Sequence, residues 1–135
     1  MSMEESQRQF LVEREIEKAK TTLNEVADLI RLEQWSGAAS RLYYAVFHSV
    51  CSLLINDNRI IKSHKGAGIA FRQHYIYTHV FPQQYGQLFG QLESLREESD
   101  YNCFYDVTAE EVMSRFEPAK EMISAIEKRV TSQRN

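Results

Sequence analysis

One helix-forming stretch of this chain carries an arginine and a histidine seven residues apart, Arg41 and His48. An α-helix turns about 100° per residue, so the two side chains share a face, with Tyr44 between them. Arginine is permanently charged and offers a planar set of donors that suits phosphate oxygens. Histidine takes up or gives a proton near neutral pH. This spacing would allow metal-free cleavage of a phosphodiester.

Such a site would act on RNA. His48 would activate a ribose 2′-hydroxyl or protonate the leaving oxygen, and Arg41 would stabilise the extra negative charge on phosphorus. DNA lacks that hydroxyl group. Spacing alone favours a simpler interpretation, in which carboxylates or carbonyls inside the protein satisfy both side chains.

Two further pairs offer weaker chemistry. His64 and Lys65 open a predicted short helix, where backbone N–H groups favour anions. They are candidate phosphate contacts, although solvent-facing cap residues fit the same pattern. Arg96 and Asp100 lie four residues apart and are interpreted as an ion pair on a helix surface.

The aromatic residues Tyr101, Phe104 and Tyr105 would be able to stack on nucleobases. We interpret them instead as anchors that hold a loop to the core. Their segment is rich in aspartate, asparagine and tyrosine, and it is expected to be a loop over 99–107.

No metal or cofactor site is predicted. His74 and His79 lie five residues apart with no carboxylate or cysteine at ligand spacing. The chain has no glycine-rich phosphate loop and no nucleophile elbow. Cys51 and Cys103 lack CxxC spacing and are expected to be buried or half-buried thiols.

Charge is unevenly distributed along the 135 residues, whose formal net charge is −3. The segment 35–81 holds five basic residues, one acidic residue and all four histidines, whereas both flanking segments are net acidic. The overall balance argues against a general nucleic-acid binder. An anionic ligand is expected in the middle segment, unless its few charges only reflect burial at the centre of the domain.

Helical periodicity dominates the chain. Apolar residues recur at steps of four and three within a first helix expected over 3–32. After a break at 33–37, a second helix runs to about Asn56 and is apolar on most sides, as a central helix is. Four polar residues line one side of it: Arg41, Tyr44, His48 and Ser52.

Capping signals place the other helices. Ser63 is the predicted N-cap of a short helix over 64–77, and Pro82 opens a helix that extends to about Glu98. A capping box of Thr108 and Glu111 begins the last helix. The prediction is an all-α bundle of four long antiparallel helices plus one shorter helix, in a single domain over residues 1–135.

Two features bear on location. No stretch approaches the roughly 20 apolar residues of a membrane span, and the N-terminal residues lack a signal-peptide pattern. A cytoplasmic protein with no membrane contact is expected.

The segment SRLYYAVFH, which contains Arg41 and His48, resembles the signature of the HEPN domain family, in which four to six residues separate arginine from histidine. Six residues intervene here. The likeness extends to SHKG at 63–66, to F-x-x-H at 71–74 and to LREESDYNCFY at 95–105. It covers roughly residues 15–130.

This resemblance implies a helical bundle, usually a homodimer with one composite cleft. Many members are metal-independent endoribonucleases, and their active residues correspond to Arg41 and His48, with Tyr44 as a supporting residue. Many act as toxins beside a minimal nucleotidyltransferase antitoxin. The alternative is a non-catalytic HEPN module that binds a nucleotide or that partner.

Two positions depart from the family pattern. Leu42 follows Arg41, where many active members have a polar residue. Val50 stands two residues past His48, where some toxin members have a tyrosine that the partner modifies with AMP. The sequence therefore predicts no AMP transfer at that position.

Overall fold

The computed structural model describes residues 3–132, and every regular element in that range is helical. Four helices are long and one is short, which confirms the predicted all-α bundle. In chain order they are α1 (Met3–Arg31), α2 (Trp35–Asn56), α3 (His64–Phe71), α4 (Gln83–Tyr101) and α5 (Ala109–Ser132).

A short turn joins α1 to α2. Glu33 has a left-handed φ of 56°, and the amide of Gln34 donates to the carbonyl of Leu29 at 2.9 Å, an arrangement that commonly ends helices. The break was expected over 33–37, but α2 begins at Trp35 because the amide of Ala38 donates to the carbonyl of Gln34 at 2.9 Å and closes the first turn. So short a connection makes α1 and α2 antiparallel neighbours.

The central helix is α2, which packs against α1, α3, α4 and α5. Its side chains Ala39, Leu42, Val46 and Leu53 are completely buried. By length and composition alone α2 is apolar enough to cross a membrane, so the prediction that no stretch approaches that limit was wrong. Within the protein, 72% of its most apolar window is buried. The apolar run is what a core helix requires.

The short helix α3 begins as predicted, with the Ser63 hydroxyl accepting a hydrogen bond from its first turn at 2.9 Å. An ordinary helix was expected as far as residue 77. Residues 72–76 form a π-helical turn instead, closed by the amide of Tyr77 donating to the carbonyl of Arg72 at 2.9 Å. In this wider turn the consecutive residues Tyr75 and Ile76 are both buried.

The start of α4 follows Pro82, as predicted, but the helix continues to Tyr101 and not only to Glu98. The amide of Asn102 donates to the carbonyl of Glu98 at 3.0 Å, so the last turn stays hydrogen-bonded.

The capping box of α5 is confirmed. The amide of Thr108 donates to Oε1 of Glu111 at 3.0 Å, and the amide of Glu111 donates to Oγ1 of Thr108 at 3.2 Å. The helix continues through Pro118, which lies on its exposed side and has no N–H to donate. α5 packs against α2 and so completes the bundle around the central helix.

Candidate functional site

Three of the four polar residues that line one side of α2 reach solvent. Arg41, Tyr44 and His48 are half-buried. Ser52 is fully buried instead, and its hydroxyl donates to the carbonyl of Ser49 at 2.6 Å. A rise of 1.5 Å per residue places Arg41 and His48 about 10 Å apart along the helix axis. The accessible line therefore ends at His48.

His48 is paired with a carboxylate of α1. Its Nδ1 lies 2.7 Å from Oε2 of Glu15, and the two side chains are 24% and 18% exposed. Burial opposes ionisation of Glu15, but the hydrogen bond with His48 and the charges of His48 and Lys18 outweigh it, so the pKa of Glu15 lies below its usual value. A carboxylate at Nδ1 orients the ring and directs Nε2 toward a substrate.

Arg41 is held more loosely than His48. Its Nη1 lies 3.8 Å from Oε2 of Glu25, and the two side chains are 41% and 50% exposed. The guanidinium also lies over the ring of Tyr44, 5.0 Å from the centroid. An exposed ion pair of this kind contributes about 1 kcal/mol or less. An anionic ligand is therefore able to displace Glu25 while Tyr44 continues to support the guanidinium.

A groove of about 310 Å³ opens between α1 and the His48 end of the α2 line. It borders both His48 and Glu25, so it reaches the imidazole and the carboxylate that holds Arg41. Its volume lies at the lower end of the range of ligand sites. No group of three metal-binding side chains comes together within residues 3–132. The groove is lined by Arg14, Glu17, Lys18, Thr21, Thr22, Glu25 and His48.

Two residues at the start of α3, His64 and Lys65, were predicted as phosphate contacts. Only His64 contacts the line of Arg41, Tyr44 and His48 on α2. Its ring stacks on Phe47, and its Nδ1 lies 3.2 Å from the hydroxyl oxygen of Tyr43. Tyr44 meets the same ring nearly at a right angle, 5.7 Å away. Lys65 is exposed, and no hydrogen bond or ion pair joins it to another side chain in the described part of the chain.

Comparison with known proteins agrees with this architecture. A family model described as the HEPN domain matches residues 12–129. The chain belongs to the HEPN domain family. A UPF0332 protein of Thermotoga maritima is 26% identical over 111 residues, which cover 82% of this chain and 84% of that protein.

Two proteins of Methanocaldococcus jannaschii are also similar to this HEPN domain. The one named "Putative toxin MJ0142" is 28% identical over 100 residues, covering 74% of this chain and 68% of the relative. The one named "Putative toxin MJ0605" is 29% identical over 113 residues, covering 84% of each chain. The chain therefore belongs to a family in which some members carry the name of a toxin.

Arg96 of this HEPN domain is more deeply buried than the sequence analysis predicted. The predicted ion pair is present, with Nη1 at 3.2 Å from Oδ2 of Asp100. However, only 13% of the Arg96 side chain is exposed, and its guanidinium lies 4.9 Å from the ring centroid of Tyr43 and 5.8 Å from that of Tyr44. Arg96 directly follows the buried Leu95, so it lies at the edge of the apolar side of α4. This position is the sequence signal that indicates partial burial of Arg96.

The two carboxylates of α1 that pair with Arg41 and His48, which are Glu25 and Glu15, were also not predicted from the sequence. Glu25 and Arg41 each lie eight residues from Glu33, so an antiparallel hairpin centred there makes them face each other. Glu15 directly precedes the buried Ile16, at the border of the apolar stripe. Counting outward from the turn would have found Glu25, whereas the partner of His48 depends on how α1 is rotated against α2.

The loop between α4 and α5 of this HEPN domain differs from its prediction. Tyr101 and Phe104 are 80% and 93% exposed, so they do not anchor it to the core. Tyr105 does anchor the loop as predicted: it is half-buried and packs against the core, and its hydroxyl donates to Glu111.

The two cysteines lie in different environments. Cys103 is exposed, contrary to expectation. Cys51 is buried as expected, and its burial, reinforced by the charge of Glu15, raises the pKa of its thiol to about 12. The Cys51 thiol therefore stays protonated at neutral pH.

Replacing Glu15 with glutamine is expected to reduce stability in a way that depends on pH. The folded state holds the pKa of Glu15 below its ordinary value of 4.5, so the ionised carboxylate stabilises the fold above that pH. This contribution is lost as the pH falls through the folded-state pKa. Urea denaturation should find wild type more stable than Glu15→Gln at about pH 7, with the difference shrinking toward about pH 3.

The matched control is Glu17→Gln, on the exposed side of the same helix. Its free energy of unfolding should stay close to that of wild type throughout the series. A Glu15→Gln difference that is constant with pH would argue against the pairing with His48.

Proposed function

We propose that this HEPN domain is a metal-independent endoribonuclease, or a ribonuclease-like toxin, that acts in the cytoplasm. The observation that carries the proposal is His48, which lines the groove while its Nδ1 lies 2.7 Å from Oε2 of Glu15. A carboxylate-oriented imidazole is the arrangement that a general base or acid needs. The names of the two relatives from Methanocaldococcus jannaschii agree with a toxin.

In the proposed reaction, Nε2 of His48 removes the proton of a ribose 2′-hydroxyl, and that oxygen attacks the neighbouring phosphorus. The bond from phosphorus to the 5′-oxygen breaks, and an imidazolium returns a proton to the leaving oxygen. Arg41 exchanges Glu25 for the non-bridging oxygens, where charge accumulates. The products are a 2′,3′-cyclic phosphate and a 5′-hydroxyl.

The proposal includes a homodimer. A twofold axis beside α2 would bring two copies of Arg41 and His48 to one cleft. One imidazole would then act as the base and the other as the acid, on opposite sides of one phosphate. Analytical ultracentrifugation should therefore find a dimer.

The test uses two substrates that differ at the attacking group. Purified protein in EDTA is expected to cleave a single-stranded RNA and to leave the all-deoxy oligonucleotide of the same sequence intact. Mass spectrometry should find 2′,3′-cyclic phosphate ends. A mock purification from host cells without the gene controls for contaminating nuclease. Equal cleavage of both substrates, or activity that EDTA abolishes, would contradict the proposal.

The second candidate is a non-catalytic module that binds a nucleotide or a minimal nucleotidyltransferase antitoxin. One observation favours it: Leu42, at the position after Arg41 where many active members have a polar residue, is completely buried and supplies no polar group to the site. Calorimetry with adenine nucleotides should then give heat of binding in the absence of any RNA cleavage. The lack of heat with every nucleotide would count against the nucleotide-binding version.

A further inference from the structure

The side chain of His64 forms a flat, exposed surface next to the candidate site. Its ring lies on that of Phe47, with centroids 4.2 Å apart and planes 8° from parallel. Phe47 in turn meets the ring of His48, 5.8 Å away at 62°. One phenyl ring thus joins the two imidazoles, and His64 remains exposed while Phe47 is half-buried.

The His64 ring is held in place by its surroundings. Its Nδ1 lies 3.2 Å from the hydroxyl oxygen of the fully buried Tyr43. Tyr44 adds a contact at 87° to the ring plane. His64 also occupies the first position of α3, directly after the Ser63 cap. A side chain fixed in this way loses little freedom when a ligand binds.

His64 differs in charge from the two neighbouring arginines, Arg41 and Arg96. Partial burial of the ring, one face of which lies on Phe47, and then the nearby charge of Arg96 lower the pKa of His64 below its ordinary value, so the ring is neutral at pH 7. A neutral ring attracts phosphate weakly but stacks well on other π-systems. Arg41 and Arg96, whose guanidinium carbons lie 5.0 and 5.8 Å from the Tyr44 centroid, supply the positive charge at this edge.

We propose that His64, seated on Phe47, is the platform on which an unpaired nucleobase of single-stranded RNA stacks beside the bond that His48 cleaves. This inference rests on the proposed ribonuclease function and adds the residue that contacts the base of the substrate. Bases inside a duplex are already stacked on one another and do not reach such a platform. Because every base has a π-face, stacking of this kind gives little sequence preference.

The experiment measures binding without cleavage. The probe is a fluorescein-labelled, single-stranded 2′-O-methyl oligonucleotide, whose blocked 2′-oxygen prevents attack, and the readout is fluorescence anisotropy. His64→Ala is expected to raise Kd about tenfold, because it removes the stacking surface. His64→Phe is the matched control: it keeps a flat ring and should bind within about twofold of wild type.

A second probe isolates the base itself. In an otherwise identical oligonucleotide with abasic positions, wild type should bind about as weakly as His64→Ala binds the intact probe, and the substitution should add little further loss. An unchanged Kd for His64→Ala, a His64→Phe variant as weak as His64→Ala, or no binding of the probe by wild type would each overturn the platform.

The outcome for the platform is separate from that for the nuclease. If His64→Ala weakens probe binding while wild type cleaves no RNA, the platform stands and the nuclease proposal fails. If RNA is cleaved in EDTA but His64→Ala leaves Kd unchanged, the nuclease stands and the platform fails.

Discussion

Alanine in place of His48 is expected to lower the rate of RNA cleavage by about 10²- to 10⁴-fold, because it removes the proposed general base. Nδ1 of this residue is bound by Glu15 at 2.7 Å, so Nε2 is the proton-transfer atom that the variant loses. The measurement is single-turnover cleavage of a labelled RNA in EDTA. Equal rates for the variant and wild type would assign the activity to another site or to a contaminant.

A second variant separates chemistry from folding. His48→Asn keeps an N–H that is able to donate to Glu15 but has no group that titrates near neutral pH. It should be as inactive as His48→Ala and should unfold at a higher urea concentration than His48→Ala, since Glu15 keeps a partner. Appreciable cleavage by His48→Asn would exclude His48 as the base.

Leu42→Ala is expected to destabilise the fold by about 2–5 kcal/mol, the usual cost of truncating a fully buried leucine. Leu42 has no exposed surface and belongs to the face of α2 that enters the core. Urea denaturation measures the loss. A change below about 1 kcal/mol would show that the core relaxes around the truncated side chain.

The adjacent residue is the matched control. Arg41→Ala removes an exposed pair and should cost about 1 kcal/mol or less. The same substitution should slow RNA cleavage by about 10²- to 10³-fold, because the developing charge on phosphorus loses its donor. Two neighbouring positions would thus separate stability from catalysis.

Local signals predicted the helices well. The capping box of Thr108 and Glu111 and the cap at Ser63 are properties of four consecutive residues, and both are present. The π-helical turn at 72–76 was missed because it depends on how Tyr75 and Ile76 pack in the core. The extension of α4 to Tyr101 was missed because the aspartate and asparagine of this segment indicate a loop, whereas the helix includes Asp100 and ends only before Asn102.

The candidate site also has a part that local sequence patterns predict and a part that they do not. The shared face of Arg41 and His48 follows from helix geometry alone. Glu25, the partner of Arg41, follows from counting outward from the turn at Glu33. Glu15, the partner of His48, depends instead on how α1 is rotated against α2, which no local pattern encodes. The spacing of Arg96 and Asp100 predicts an ion pair on the solvent-exposed surface of the helix, but the flat guanidinium of Arg96 packs over Tyr43.

The carboxylate of Glu25 lies beside Arg41 and competes with any anionic ligand for the guanidinium. Every anion that approaches the guanidinium must replace it, and an exposed contact worth about 1 kcal/mol or less weakens apparent affinity about fivefold at most. A singly charged metabolite that offers no more than another carboxylate gains little from that exchange. A polyanionic strand, which brings several phosphates at once, overcomes the penalty easily. By placing Glu25 beside Arg41, the hairpin of α1 and α2 thus weakens the binding of a small anion about fivefold at most and that of a polyanion by a smaller share of its total affinity.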